Sequence, residues 1–316
     1  MLTALLLAAS LLASVDTTDL APRIHRVAVA PGETLRVTVA GPAAGRPVVL
    51  VPGLFGSAFG FRHVVARLVA QGARTVVVEP LGVGGSARPP KADYSLTRQA
   101  ARISAALDSL HVRGAVLVAH GVGGGMAFRV AVTRPELVRG LVGLEAGPAE
   151  RAASAGLARA VQFVPWVKMM GGARLIRSRI GASLKKESHD PAWVTEAVID
   201  AYTADAAADL DGTLLALVRM SESREPEKLG PRLRELRVPV RMLIGEKEGK
   251  SRPAAGDLAR LRVAVPALVV DTVRGSGHYL HEERPQAVAD AILGLLGAPS
   301  DAAAATVDGD PGPGLR

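Results

Sequence analysis

AVLVAHGVGGG, residues 115–125, carries three local signals in a row. Ala115–Val118 is a short β-branched apolar run of the kind that fills a strand buried on both faces. Ala119–Gly123 is a glycine-rich reversal, and Met126–Val132 continues with apolar residues suited to a helix lying on a sheet. Strand, tight turn and helix form the setting of the G-x-S-x-G motif, in which a strained turn lifts a serine hydroxyl above the sheet edge. Here the motif reads Ala119-His120-Gly121-Val122-Gly123, and Gly121 stands where the serine would.

Outward from this stretch the same alternation repeats. Arg26–Val39 alternates around Pro31-Gly32 and reads as a hairpin. Val48–Val51 and Thr75–Val78 read as buried strands, and Phe61–Leu68 as the helix between them. Leu96, Ala100, Ile103, Leu107 and Leu110 recur at spacings of four and three, giving one apolar helix face behind Ser95 as N-cap. Leu141–Leu144, Val238–Ile244 and Ala267–Val273 are further strands, and Gln286–Leu296 is a closing helix. Strands alternating with helices predict a mostly parallel sheet covered on both faces. Gly82, Gly84 and Ala87 fit G-x-G-x-x-A, but Pro89-Pro90 prevents the helix that a dinucleotide site needs.

Three segments lie outside this pattern. Residues 1–15 hold an apolar run, Leu2–Ala13, that is too short to span a bilayer; it reads as a candidate signal peptide for export, without a basic residue ahead of it. Residues 148–229 show helical stretches and no strand, an insertion expected to form a lid between core segments 16–147 and 230–296. Residues 297–316, rich in Ala, Asp, Gly and Pro, read as a disordered tail.

Composition narrows the chemistry. The absence of cysteine removes disulfides, thiolate nucleophiles and Cys-ligated zinc. The net charge of +8 is spread along the chain, with no aromatic-interleaved basic stripe, which argues against nucleic acid as a partner. No His, Asp or Glu spacing suggests a metal, and no cofactor is expected. Aromatic residues are only 3% of the chain, so the cluster Phe163, Trp166, Met169 and Met170 in the insertion, with Phe55, Phe59 and Phe61, is a candidate wall for an apolar small molecule. The alternative is that these side chains simply pack the lid onto the core.

Over Arg46–Leu296 the chain resembles the α/β-hydrolase family. Pro52-Gly53-Leu54 is similar to the family's oxyanion turn, and Glu79-Pro80-Leu81-Gly82-Val83-Gly84-Gly85-Ser86 to its D-x-R-G-x-G-x-S loop. Ala119–Gly123 corresponds to the nucleophile elbow, Gly245-Glu246-Lys247-Glu248 to the turn bearing the acid, and Gly277-His278 to the histidine loop. The resemblance implies an α/β-hydrolase fold. It places Gly121, Glu248 and His278 at the triad positions, with Glu145 as an alternative acid and the backbone N–H groups of Leu54 and Val122 as oxyanion donors. Ala119 replaces the usual glycine and is expected to crowd the turn.

The glycine at the nucleophile position removes the chemistry that defines the family: losing the nucleophile of such a site costs about 10⁶ in kcat. Ser57 and Ser86 lie in neighbouring loops, but neither is placed to replace it. The sequence therefore supports a degenerate hydrolase that binds an apolar small molecule. A second reading has His278, paired with Glu248 or Glu145, driving acid–base chemistry on a water or an ester-like substrate without an acyl-enzyme. A third is an exported partner-binding scaffold. Oligomeric state is not encoded in these motifs.

Overall fold

The structure is a computed structural model that describes residues 21–152, 171–249, 252–253 and 255–297. The apolar runs become eight strands: β1 (Arg23–Ala30), β2 (Glu33–Ala40), β3 (Pro47–Val51), β4 (Arg74–Val78), β5 (Ala115–His120), β6 (Val138–Leu144), β7 (Val240–Gly245) and β8 (Val269–Val273). They form one sheet in the order β1-β2-β4-β3-β5-β6-β7-β8. The β1–β2 hairpin and the β2–β4 pair are antiparallel; every pair from β4 to β8 is parallel. β3 and β5 sit at the centre, so their carboxyl ends open into the same crevice, where ligands of open α/β sheets bind.

Side-chain alternation gives each face of the sheet its own core. Val49, Val51, Leu117 and Ala119 face one side, packed with α2 (Leu96–Ser109) and α3 (Gly123–Thr133). Val48, Leu50, Val116 and Val118 face the other, packed with α1 (Arg62–Ala70) and the last helix, Pro285–Gly297. The predicted face of α2 is realised: Leu96, Ala100, Ile103 and Leu107 are buried, and the Ser95 hydroxyl accepts a hydrogen bond from the Arg98 N–H.

Between β6 and β7 the insertion is helical, with α4 (Ala173–Glu187), α5 (Glu196–Ala208) and α6 (Leu210–Glu222). Ile180 and Leu184 of α4 and Ile199 and Tyr202 of α5 form a third apolar cluster with Phe55, Phe59, Trp193 and Tyr279, which packs the insertion against the loop after β3 and the segment following His278. Helix α7 (Ala255–Ala264), between β7 and β8, was not expected from the sequence. Helix α8 (Leu280–Glu283) is a single turn leading into α9 (Pro285–Gly297). The candidate signal peptide, residues 298–316 of the expected tail, and Phe163, Trp166, Met169 and Met170 lie outside the described residues.

Ala119 does not crowd the turn. It belongs to β5 itself, opposite Gly143 of β6, and precedes the turn.

Candidate functional site

The turn after β5 uses the conformational freedom of its glycine. Gly121 takes φ +53°, in the left-handed region. Its N–H donates to the Leu144 carbonyl at 3.1 Å, and its own carbonyl accepts from Gly124 N–H at 3.1 Å, so α3 begins at once. The glycine run makes this close approach possible: a Cβ on Gly124 would stand 2.8 Å from both the Ala146 Cβ and the Gly147 carbonyl oxygen.

At Gly121 the opposite holds. Apart from chain neighbours, the only described atoms within 4 Å of a Cβ built there are Cε1 and Nε2 of His278, each at 3.8 Å. The space a nucleophile would occupy is open and faces the imidazole. Val122 follows it in the chain; Leu54 and Val122 are both partly exposed, and among the described residues neither backbone N–H finds an acceptor. Phe55, next to Leu54, has φ +59° and packs against the α4–α5 cluster, whereas Phe61 is buried in the core beside α1 and contacts the His281 ring.

His278 is held through its backbone. Its N–H donates to the Glu187 carbonyl at 2.9 Å, and its carbonyl accepts from Nε2 of His120 at 3.0 Å. The His120 ring lies between those of His278 and His281, with centroids 4.4 and 4.5 Å away. Burial among these uncharged rings pushes His120 down to about 4 and holds His278 and His281 well below the usual histidine range; mutual repulsion between the imidazoles adds to the effect on His278 and His281. All three are neutral at pH 7.

The expected His–carboxylate pair does not form. Nδ1 of His278 is fully enclosed and, among the described residues, has no hydrogen-bond partner. The Glu248 side chain is 88% exposed and pairs with Arg252, i,i+4 across a solvent-facing turn. Glu145, at the exit of β6, is buried, but its Oε1 is taken by the Gly245 N–H at 2.6 Å. Burial raises Glu145 to about 7, opposed by that hydrogen bond and by Arg252. Placing an acid at the end of β6 or β7 thus does not place its carboxylate against the imidazole, because each has a nearer donor.

Glu187, at the end of α4, is a neighbour of this site that sequence reading missed. Its carbonyl supports His278, its Oε2 is enclosed without a partner, and its charge acts on Glu145. In the sequence it follows Lys185-Lys186 and looks like part of a solvated face. Neither loop serine is hydrogen-bonded to His278 among the described residues. Ser57 Oγ caps the turn at Phe59 N–H, and Ser86 Oγ donates to the Glu79 carbonyl while accepting from Arg36 N–H. Among the described residues no group of His, Asp or Glu is arranged to hold a metal ion, and no helix is long and apolar enough to cross a membrane.

An eight-stranded, mostly parallel sheet covered by helices has clear counterparts. Residues 48–291 match the sequence profile of the alpha/beta hydrolase family. The chain belongs to the alpha/beta hydrolase family. Among its relatives is mouse (Mus musculus) sn-1-specific diacylglycerol lipase ABHD11, 25% identical over 81% of this chain and 82% of that protein. Another is the uncharacterized hydrolase YugF of Bacillus subtilis (strain 168), 25% identical over 79% of this chain and 89% of that one. Among solved structures, wild-type Cfl2 from Burkholderia cenocepacia aligns with a TM-score of 0.69 at 25% identity, covering 87% of this chain and 95% of that one. Epoxide hydrolase CorEH aligns with a TM-score of 0.70 at 21% identity over 87% and 99% of the two chains, a likeness of fold.

Proposed function

We propose that this alpha/beta hydrolase family member binds an apolar small molecule in the cleft above the elbow and forms no acyl-enzyme. The observation that carries this reading is the glycine opposite His278: the space for a nucleophile is present and, among the described residues, nothing in it can attack. Ser57 and Ser86 support it, since among the described residues neither hydroxyl is bonded to His278 and the Ser86 proton is held by the Glu79 carbonyl. The unpartnered Nδ1 supports it further, because an imidazole with no carboxylate to stabilise its cation is a weak general base. On this reading the insertion serves as a lid, with Phe55 and the apolar residues of the insertion lining the pocket. The acyl chains handled by the mouse diacylglycerol lipase agree with an apolar ligand.

The experiment is hydrolysis of short and medium-chain p-nitrophenyl esters by the intact protein beside His278→Ala. The expected result is the same low rate for both. Turnover by the unmodified protein well above the variant would overturn the reading in favour of His278-driven hydrolysis.

A further inference from the structure

The insertion leaves the core after β6 and returns to it before β7, and its two stems are tied to one another. The Glu150 carboxylate, on the outgoing stem, accepts from the Leu229 and Gly230 N–H groups of the returning stem at 3.0 and 2.8 Å. Glu225, on the returning stem, accepts from the Leu96 and Thr97 N–H groups at the start of α2 at 2.7 and 3.0 Å. The guanidinium of Arg129 of α3 bridges the two carboxylates, 3.1 Å from Glu150 and 3.5 Å from Glu225. Beside this junction α2, the end of α3 and the returning stem enclose a cavity of about 240 Å³. It lies away from the elbow: Val132, in its wall, follows the first residue of α3 by nine positions, about 14 Å along the helix axis.

We propose that this cavity is a second ligand site, at the root of the insertion, for a small aromatic monoanion of the aryl carboxylate class. The ring packs on Ala100, Val132, Leu229 and the arginine side chains of the wall, and the carboxylate meets Lys228. The site is independent of what the cleft above the elbow binds.

The size admits a ring, since an apolar cavity of about 150 Å³ is enough for benzene. Ala100, Val132 and Leu229 are buried and supply carbon surface. Three arginines also line the cavity, and their N–H groups are already engaged. Arg129 bonds to Thr97, to the Gly125 and Ala149 carbonyls and to Glu150; Arg134 bonds to Asp108 and Glu136. Arg232 pairs with Glu235 and lies 3.5 Å from Glu227, the acidic residue of the wall. Arginines used in this way offer a ligand their carbon stems and the faces of their guanidinium planes, and such faces stack on aromatic rings. Lys228 differs: it is exposed, and among the described residues its ammonium has no hydrogen-bond or ion-pair partner. An ammonium with free donors beside an apolar wall selects a ligand with one negative charge, through a charge-assisted hydrogen bond.

The test is calorimetric titration of the intact protein with 2-naphthoate and with its neutral isostere 2-acetylnaphthalene, repeated on variants. The unmodified protein is expected to bind 2-naphthoate at one site, about ten-fold tighter than the ketone. Lys228→Gln should remove that preference. Ala101→Trp, on the exposed side of α2, fills the cavity and should abolish binding; Thr133→Trp does the same from α3, so the result does not hang on one variant folding. His278→Ala should bind as the unmodified protein does. In the unmodified protein 2-naphthoate should slow amide exchange at residues 97–101 and 227–232. Failure of 2-naphthoate to bind, or equal affinity for the ketone, would overturn the proposal. So would binding that survives both tryptophan variants and is lost in His278→Ala, which would put the ligand in the elbow cleft instead.

Discussion

Nε2 of His120 lies 3.0 Å from the backbone carbonyl oxygen of His278, which makes Nε2 the protonated nitrogen of that ring and ties the end of β5 to the histidine loop. The residue before the elbow thereby sets the position of the residue facing it. His120→Ala removes a buried hydrogen bond and leaves a cavity between two imidazoles, a loss of about 2–4 kcal/mol. Urea denaturation checks the magnitude. Amide exchange at residues 276–281 should rise in the variant, which a purely global destabilisation would not confine to that loop.

Acid should weaken the fold through the same rings. Their folded pKa values lie below the unfolded value of 6.5, so below that pH the unfolded chain binds protons first and stability falls with pH. The share from His120 is lost between about 6.5 and its folded value of about 4, roughly 3 kcal/mol over that window. Denaturation midpoints at pH 7, 5.5 and 4.5 should decline in that order.

Glu145 acts with the opposite sign. Its folded pKa of about 7 exceeds the model-peptide value of 4.5, so its contribution is fully present below 4.5 and is lost as pH rises through 7. Glu145→Gln keeps an amide oxygen for the Gly245 N–H and removes the charge. It should raise stability at pH 8, by about 1–3 kcal/mol, and change little at pH 5. Paired denaturation curves at the two values check both signs.

Arg36 of β2 joins the insertion to the core. Its guanidinium bonds to both oxygens of the fully buried Glu79 and to Asp205 of α5, while Glu79 also accepts from Ala58 N–H in the loop after β3. Arg36→Met leaves a buried carboxylate without its cation, a loss of about 3–5 kcal/mol. Asp205→Asn, at a more exposed carboxylate, should cost about 1 kcal/mol or less and speed amide exchange in α5 ahead of the rest of the chain.

Glu248 is expected to be dispensable. Its carboxylate is in solvent and its pairing with Arg252 is a surface ion pair. Glu248→Gln should leave stability within about 0.5 kcal/mol and the NMR-titrated pKa of His278 unchanged.

The core strands were legible because Val48–Val51, Thr75–Val78 and Val116–Val118 are apolar runs that only a strand buried on both faces accommodates. The elbow was legible because glycines are needed where α3 presses on the chain leaving β6. The 255–264 helix was not, since AGDLARLRVA has a weak apolar face and buries only Leu261. The acid was not either. A motif fixes where a carboxylate leaves the backbone, but its direction depends on competing donors, Gly245 N–H for Glu145 and Arg252 for Glu248. The contact between Glu187 and His278 joins residues far apart in sequence, and no local pattern announces it.

The most direct test of the central claim is the intact mass of the unmodified protein after exposure to a serine-directed fluorophosphonate, with Gly121→Ser treated alongside. The account predicts an unchanged mass for the unmodified protein and a single adduct on the variant, where the new hydroxyl faces His278. An adduct on the unmodified protein would contradict it.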